Sequence, residues 1–228
     1  MDPVSILYAV SVIAIPAILA ITLHEAAHGY VAWKLGDDTA LRLGRVSFNP
    51  LRHIDPFGTL LLPIMLRLLG SPFLFGYAKP VPVNFGRLRQ PRRDMVWVAA
   101  AGPGINLGLA LASGVALHLG LMFEGEVRTW LVDLLTFSIF INLLLAVFNM
   151  LPLPPLDGGR VAVGLLPDVL AYPLARLERF GIVILLAVMI LPPILGSSFG
   201  LDLNPFGWLI LPPVQFLFEL VLTLTGHQ

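Results

Sequence analysis

The sequence contains no cysteine, so disulfides and thiolate ligands are excluded, and any transition metal must be held by His, Asp or Glu. Charge is scarce as well. Only 12% of the 228 residues are Asp, Glu, Lys or Arg, and their formal charges cancel. No basic excess and no basic run interleaved with aromatics points to nucleic acid, which is not an expected partner. The opening Met1-Asp2-Pro3 lacks a basic segment, and the apolar run behind it leads into a polar motif instead of a small-residue cleavage site. It is expected to be a retained span, not a signal peptide. What fills the chain is apolar: 57% hydrophobic residues and a mean hydropathy of +0.87 describe an integral membrane protein in contact with the lipid bilayer.

Long apolar runs predict spans over residues 4–35, 92–122 and 129–151, with two further apolar stretches at 180–195 and 206–225. Residues 56–75 are apolar but broken by Gly58, Pro63, Arg67, Gly70 and Pro72, and basic residues flank them on both sides, which predicts a re-entrant or interfacial helix. In the stretch 76–85, Pro80 and Pro82 impose an extended backbone and remove donors from one edge. The amides of Lys79, Val81 and Val83 are left as an edge expected to accept a substrate strand. Twelve of the fourteen Lys and Arg fall in residues 34–52, 79–93 and 160–179, all on one side of the expected spans. The positive-inside tendency then puts the N-terminus outside and those segments in the cytoplasm.

The chemistry is concentrated in residues 21–35, ITLHEAAHGYVAWKL. Residues four apart on a helix lie one above the other, so His24 and His28 can share a metal ion while Glu25 serves as base toward a water on that ion. Ionisable groups inside a span are costly, and three on adjacent turns call for a common partner. Two imidazoles require a third protein ligand. The turn 152–160, PLPPLDGGR, returns to the side where the first helix ends and carries one carboxylate, Asp157, on a rigid segment, which makes it the expected third ligand. Asn149, Asn106 and Asn142 lie within spans and are candidates for holding a substrate backbone, an oxyanion or a neighbouring helix.

Together, His24-Glu25-x-x-His28, Gly102-Pro103-x-x-Asn106 and Asn149-x-x-Pro152-x-Pro154-x-Leu156-Asp157-Gly158 resemble the site-2 proteases, a family of intramembrane zinc metalloproteases. The resemblance covers roughly residues 4–160. It implies an all-α polytopic membrane protein with a three-helix catalytic core, extra C-terminal spans and a small membrane-associated β segment at 76–85. It also implies one zinc ion on His24, His28 and Asp157, Glu25 as catalytic base, Asn149 on the substrate or oxyanion, and a membrane-protein substrate with a transmembrane helix. The polar stretches are too short for an accessory domain of about 50 residues. The expectation is therefore one domain, residues 1–228, with a core at 4–160 and C-terminal membrane segments at 161–228. The alternative is a metal-binding membrane scaffold or carrier without proteolysis. A carrier is expected to show internal repeats, which this sequence lacks, and a scaffold is free to lose Glu25, which this sequence keeps.

Overall fold

Asp2 opens the first helix by accepting from the Ser5 backbone amide at 2.9 Å and the Ser5 hydroxyl at 2.7 Å, with Pro3 at the first helical position. The computed structural model describes residues 2–68, 78–201 and 203–227. Among them the α-helices are α1 (Pro3–Lys34), α2 (Thr39–Arg42), α3 (Leu62–Leu68), α4 (Pro91–Gly120), α5 (Gly125–Asn149), α6 (Asp157–Leu165), α7 (Asp168–Arg176), α8 (Gly181–Ser198) and α9 (Pro205–Leu224). Among the described residues, five stretches are long and apolar enough to cross a membrane: α1, α4, α5, the run Asp168–Gly196 through α7 and α8, and α9.

Side-chain contacts set the direction of each long helix. Tyr8 donates to Asp133 at 2.6 Å and Trp130 donates to Ser11 at 2.9 Å, so the beginnings of α1 and α5 lie together and the two helices run parallel. A short turn at Gly125 (φ 63°) makes α4 antiparallel to both. The Phe206 ring, at the start of α9, lies 6.1 Å from Phe148 at the end of α5. At the other end, His118 bonds the Thr225 carbonyl at 2.6 Å, His227 bonds the Gly114 carbonyl at 2.8 Å, and the two imidazoles stack at 4.0 Å. α9 therefore runs parallel to α4. Ala110, Ile139, Leu143, Ile210, Val214 and Val221 form the apolar seam of α4, α5 and α9.

α8 starts where α5 ends. Gly181 sits against Pro154 and Pro155, and Leu185 and Met189 pack with Leu156 beside Phe148, Leu151 and Phe206. α9 also starts at that end, so α8 and α9 begin at the same end of the bundle. Length and composition alone qualify the run Asp168–Gly196 through α7 and α8 as a span.

No strand forms among the described residues, so the expected β segment is not present. Gly76 and Tyr77 lie outside the described residues; residues 78–84 form no regular element, with Asn84 in the extended region, and pair with no partner strand among the described residues. The reason lies in where their polar groups go. Lys79 N–H donates to the His53 carbonyl at 2.9 Å, Val81 N–H to Glu25 at 2.8 Å and Asn84 N–H to Asp37 at 2.6 Å. The Arg45 guanidinium holds the Lys79 carbonyl at 2.5 Å and reaches the Pro80 carbonyl at 3.4 Å. With Pro80 and Pro82 donating nothing, loops and side chains take the places a second strand would fill. Gly29 lets this segment lie close to α1: a Cβ there would meet Val46, Ala40 and Val81 at 2.9–3.1 Å.

Asp55 caps the segment that follows His53, accepting from Phe57 N–H at 3.0 Å and Gly58 N–H at 2.7 Å. The helical turns of Pro56–Leu61 run into α3. At 1.5 Å per residue its described part, residues 56–68, reaches roughly 20 Å, against ~30 Å for the hydrocarbon layer. The rest of the expected re-entrant stretch, 69–75, lies outside the described residues.

Candidate metal centre and active site

His24 and His28 project from one face of α1 toward α4 and α6. His24 Nε2 lies 3.1 Å and His28 Nε2 3.4 Å from Asp157 Oδ2, and the three ligand atoms all fall within 4.8 Å of one another. All three residues are buried. The far nitrogen of each ring is held separately: His28 Nδ1 contacts the Val98 carbonyl at 2.7 Å, and His24 Nδ1 contacts Asn106 Oδ1 at 2.6 Å. Both partners are acceptors, so each ring donates from Nδ1 and keeps Nε2, its other nitrogen, facing Asp157.

Asp157 opens α6 immediately after the proline-rich turn. A side chain on Gly158 would strike the backbone of Met150 and Leu151, and one on Gly159 that of Leu153 and Pro154. Only glycine lets the turn fold this tightly onto the end of α5. The far end of α6 is tied to α4 by Arg92, which donates to the carbonyls of Gly164 (3.1 Å) and Leu166 and to Asp168 (2.7 Å). Gly164 packs on Val96 beneath this tie.

The residues fit a zinc ion. Tetrahedral zinc with bonds of about 2.0–2.1 Å places its ligand atoms roughly 3.3 Å apart, close to the two nitrogen–oxygen separations found here. Apart from the two Nε2 atoms beside it, buried Asp157 Oδ2 has no polar partner among the described residues, a costly position that a cation relieves. The space is kept open by Gly102, where a Cβ would lie 2.5 Å from both Nε2 atoms. Two neutral nitrogens and one carboxylate are a zinc donor set with a position to spare.

Glu25 is half-buried beside this cluster and accepts from Val81 N–H. The amides of Lys79 and Val81 are thus occupied, which corrects the expected open edge; Val83 N–H alone of the three has no partner among the described residues. Asn149, half-buried, donates one amide hydrogen to the Leu145 carbonyl at 3.0 Å. Asn106 is completely buried, and its amide is committed to His24, to Asn142 at 2.8 Å and to the Ala20 carbonyl at 3.4 Å, leaving no face for a substrate. His53 is also buried, with Nε2 on the Ser47 carbonyl at 3.0 Å, and serves the loop that receives Lys79.

The model of peptidase family M50 matches residues 118–192, which include Asn149 and Asp157. The chain is 40% identical over 187 residues to a Bacillus subtilis protein named "Putative zinc metalloprotease YwhC", a match covering 80% of this chain and 81% of the relative. The chain belongs to peptidase family M50, the site-2 proteases. A second relative, "Putative zinc metalloprotease Rip2" of Mycobacterium tuberculosis, is 33% identical over 184 residues, 80% of this chain and 68% of its own length. No solved structure gives a significant match. As an M50 peptidase the chain is a membrane zinc metalloprotease. Two features of this M50 site were not visible as such in the sequence. Gly102 reads there only as a small residue suited to helix contact, and nothing in a sequence marks the Val98 carbonyl as the partner of His28.

Proposed function

We propose that this M50 peptidase hydrolyses peptide bonds in or near the transmembrane segments of membrane-protein substrates, with His24, His28 and Asp157 holding one zinc ion and Glu25 acting as general base. The observation that carries this reading is the convergence of three ligand atoms and a neighbouring carboxylate inside a bundle of membrane-length helices. A soluble protease would present the same set in a water-filled cleft.

When bound, zinc supplies Lewis acidity and lowers the pKa of a coordinated water toward neutrality. Glu25 would take a proton from the attacking water as its oxygen adds to the peptide carbonyl carbon, and return it to the amide nitrogen as the C–N bond breaks. The Val81 amide holds one carboxylate oxygen, which fixes the carboxylate beside the ligands. A helical substrate hides its carbonyls in its own hydrogen bonds and must unwind before one is exposed. Val83 N–H, together with the second amide hydrogen and the carbonyl of Asn149, is available to bond the unwound backbone or the developing oxyanion. The charge distribution supports an outside N-terminus and a site opening toward the cytoplasm.

Cleavage of a single-span protein in detergent by the wild type and by Glu25→Gln, with zinc quantified in both, tests this reading. Loss of cleavage with zinc retained is the expected result. Stoichiometric zinc in a wild type that cuts no tested span would favour the scaffold instead.

A further inference from the structure

Zinc ligation accounts for His24, His28 and Asp157 but leaves unexplained a buried polar chain behind His24. Asn106 Oδ1 meets His24 Nδ1 at 2.6 Å, Asn106 Nδ2 donates to Asn142 Oδ1 at 2.8 Å, and Asn142 Nδ2 donates to the Ser138 carbonyl at 2.9 Å. The Ser138 hydroxyl, 3.4 Å from Asn142 Nδ2, continues the chain to the Ser113 hydroxyl at 2.8 Å. Asn106 and Asn142 are 0% and 2% exposed, so water cannot replace any of these partners at no cost.

The two ends of an asparagine amide have nearly the same shape but opposite polarity. If Asn106 turned its NH2 toward His24, Nδ1 would become an acceptor and the imidazole proton would move to Nε2, the atom facing Asp157. That tautomer has no lone pair for a metal. Something must therefore fix which end of Asn106 faces the histidine. The Ala20 carbonyl at 3.4 Å is too distant to do so alone. The Ser138 carbonyl, a helix backbone group that can only accept, obliges Asn142 to present Nδ2 to it and Oδ1 to Asn106. Asn106 must then present Nδ2 to Asn142 and Oδ1 to His24. His28 needs no such relay, because its Nδ1 rests directly on the Val98 carbonyl.

We propose that Asn142 is a positioning residue for zinc: through the Asn106 amide it transmits the polarity of the α5 backbone to His24 and holds that ring in its metal-binding tautomer. The inference rests on His24 being a zinc ligand, as proposed above.

The test is a double-mutant cycle on zinc affinity, measured by chelator competition with the full chain in detergent. Asn142→Leu removes the group that orients Asn106. Asn106→Asp supplies a carboxylate that accepts from His24 through either oxygen and needs no orienting. Asn142→Leu alone is expected to weaken zinc binding about tenfold to a hundredfold, the usual effect of losing support behind a metal ligand. In the Asn106→Asp background the same change is expected to weaken affinity by no more than about threefold, since the relay it disrupts is no longer used and the leucine removes the acceptor, Asn142 Oδ1, that would face the new carboxylate. Wild-type affinity in Asn142→Leu overturns the proposal. So does an equal loss in both backgrounds, which would mark Asn142 as ordinary packing. His24→Ala separates this from the function itself: if it keeps zinc, the ligand assignment fails and the inference with it, whereas if it loses zinc and Asn142→Leu does not, only the inference fails. Melting of the chelated proteins reports folding, and Asn142→Ala takes the place of Leu in the cycle if Leu prevents it.

Discussion

The backbone N–H of Val81 donates to Glu25 Oε2 at 2.8 Å, joining the segment 78–84 to the carboxylate proposed as base across 56 residues of sequence. Val81→Pro deletes this donor while tolerating the extended backbone already set by Pro80 and Pro82. Hydrogen bonds to charged groups contribute about 1.5–3 kcal/mol, so turnover should fall by roughly tenfold or more with zinc content unchanged. Val81→Ala keeps the N–H and should stay within about threefold of wild type. Equal turnover in the two variants would show that the bond has no part in catalysis.

Gly102 and Gly104 are two residues apart on α4 yet face opposite surroundings. A Cβ on Gly102 would sit 2.5 Å from both Nε2 atoms, whereas a Cβ on Gly104 meets nothing within 4 Å. Gly102→Ala should therefore lose bound zinc, and Gly104→Ala should retain it at wild-type stoichiometry. Metal analysis of the two purified variants decides the point.

Asp37 supplies a pH-dependent anchor where α1 ends. Its carboxylate is completely buried and accepts from the Thr39 amide at 3.1 Å, the Thr39 hydroxyl at 2.5 Å and the Asn84 amide at 2.6 Å. Burial alone would raise its pKa; the bonds from Thr39 and Asn84, with a smaller contribution from Arg87, outweigh it and hold the carboxyl below the ordinary value of 3.8. A depressed pKa in the folded state gives stability that is present above the unfolded value and lost as pH falls through the folded one. Asp37→Asn should destabilise the protein by about 1–3 kcal/mol at pH 7, and the gap should narrow as the pH drops below about 4. Melting in detergent across that range would reveal a constant gap if the charge were irrelevant.

The two chain ends are expected on the same side of the membrane. α1, α4 and α5 alternate in direction, α9 runs with α4, and α8 and α9 begin at the same end of the bundle. The lack of native cysteine makes the measurement clean: one cysteine appended at either end, labelled in intact cells by an impermeant maleimide. Labelling of one end only would mean that α9 does not run with α4.

The metal centre was largely legible in the sequence because its determinants are local or countable. Helical spacing pairs His24 with His28, and span counting returns Asp157 to their side. Asn106 was not legible in the same way. Its position in a span marks it as a polar group needing a partner, but whether the partner is a substrate or His24 depends on how α4 rotates against α1. The segment 78–84 was half legible: the prolines announce its backbone, while the acceptors of the Lys79 and Val81 amides, His53 and Glu25, come from distant parts of the chain. The course of α8 and α9 was hidden for another reason. No Lys or Arg follows Arg179, so the charge rule that orders the earlier spans has nothing to act on.

Pro154 is gripped from two sides, by Gly159 within its own turn and by Gly181 at the head of α8. The ligand-bearing portion is consequently not a module that can be lifted out. A fragment ending near residue 160 would contain every proposed zinc ligand and the base, yet would leave the loop that presents Asp157 without its outer wall. The smallest active unit of this protease should extend at least through α8, although α8 supplies none of the proposed metal ligands.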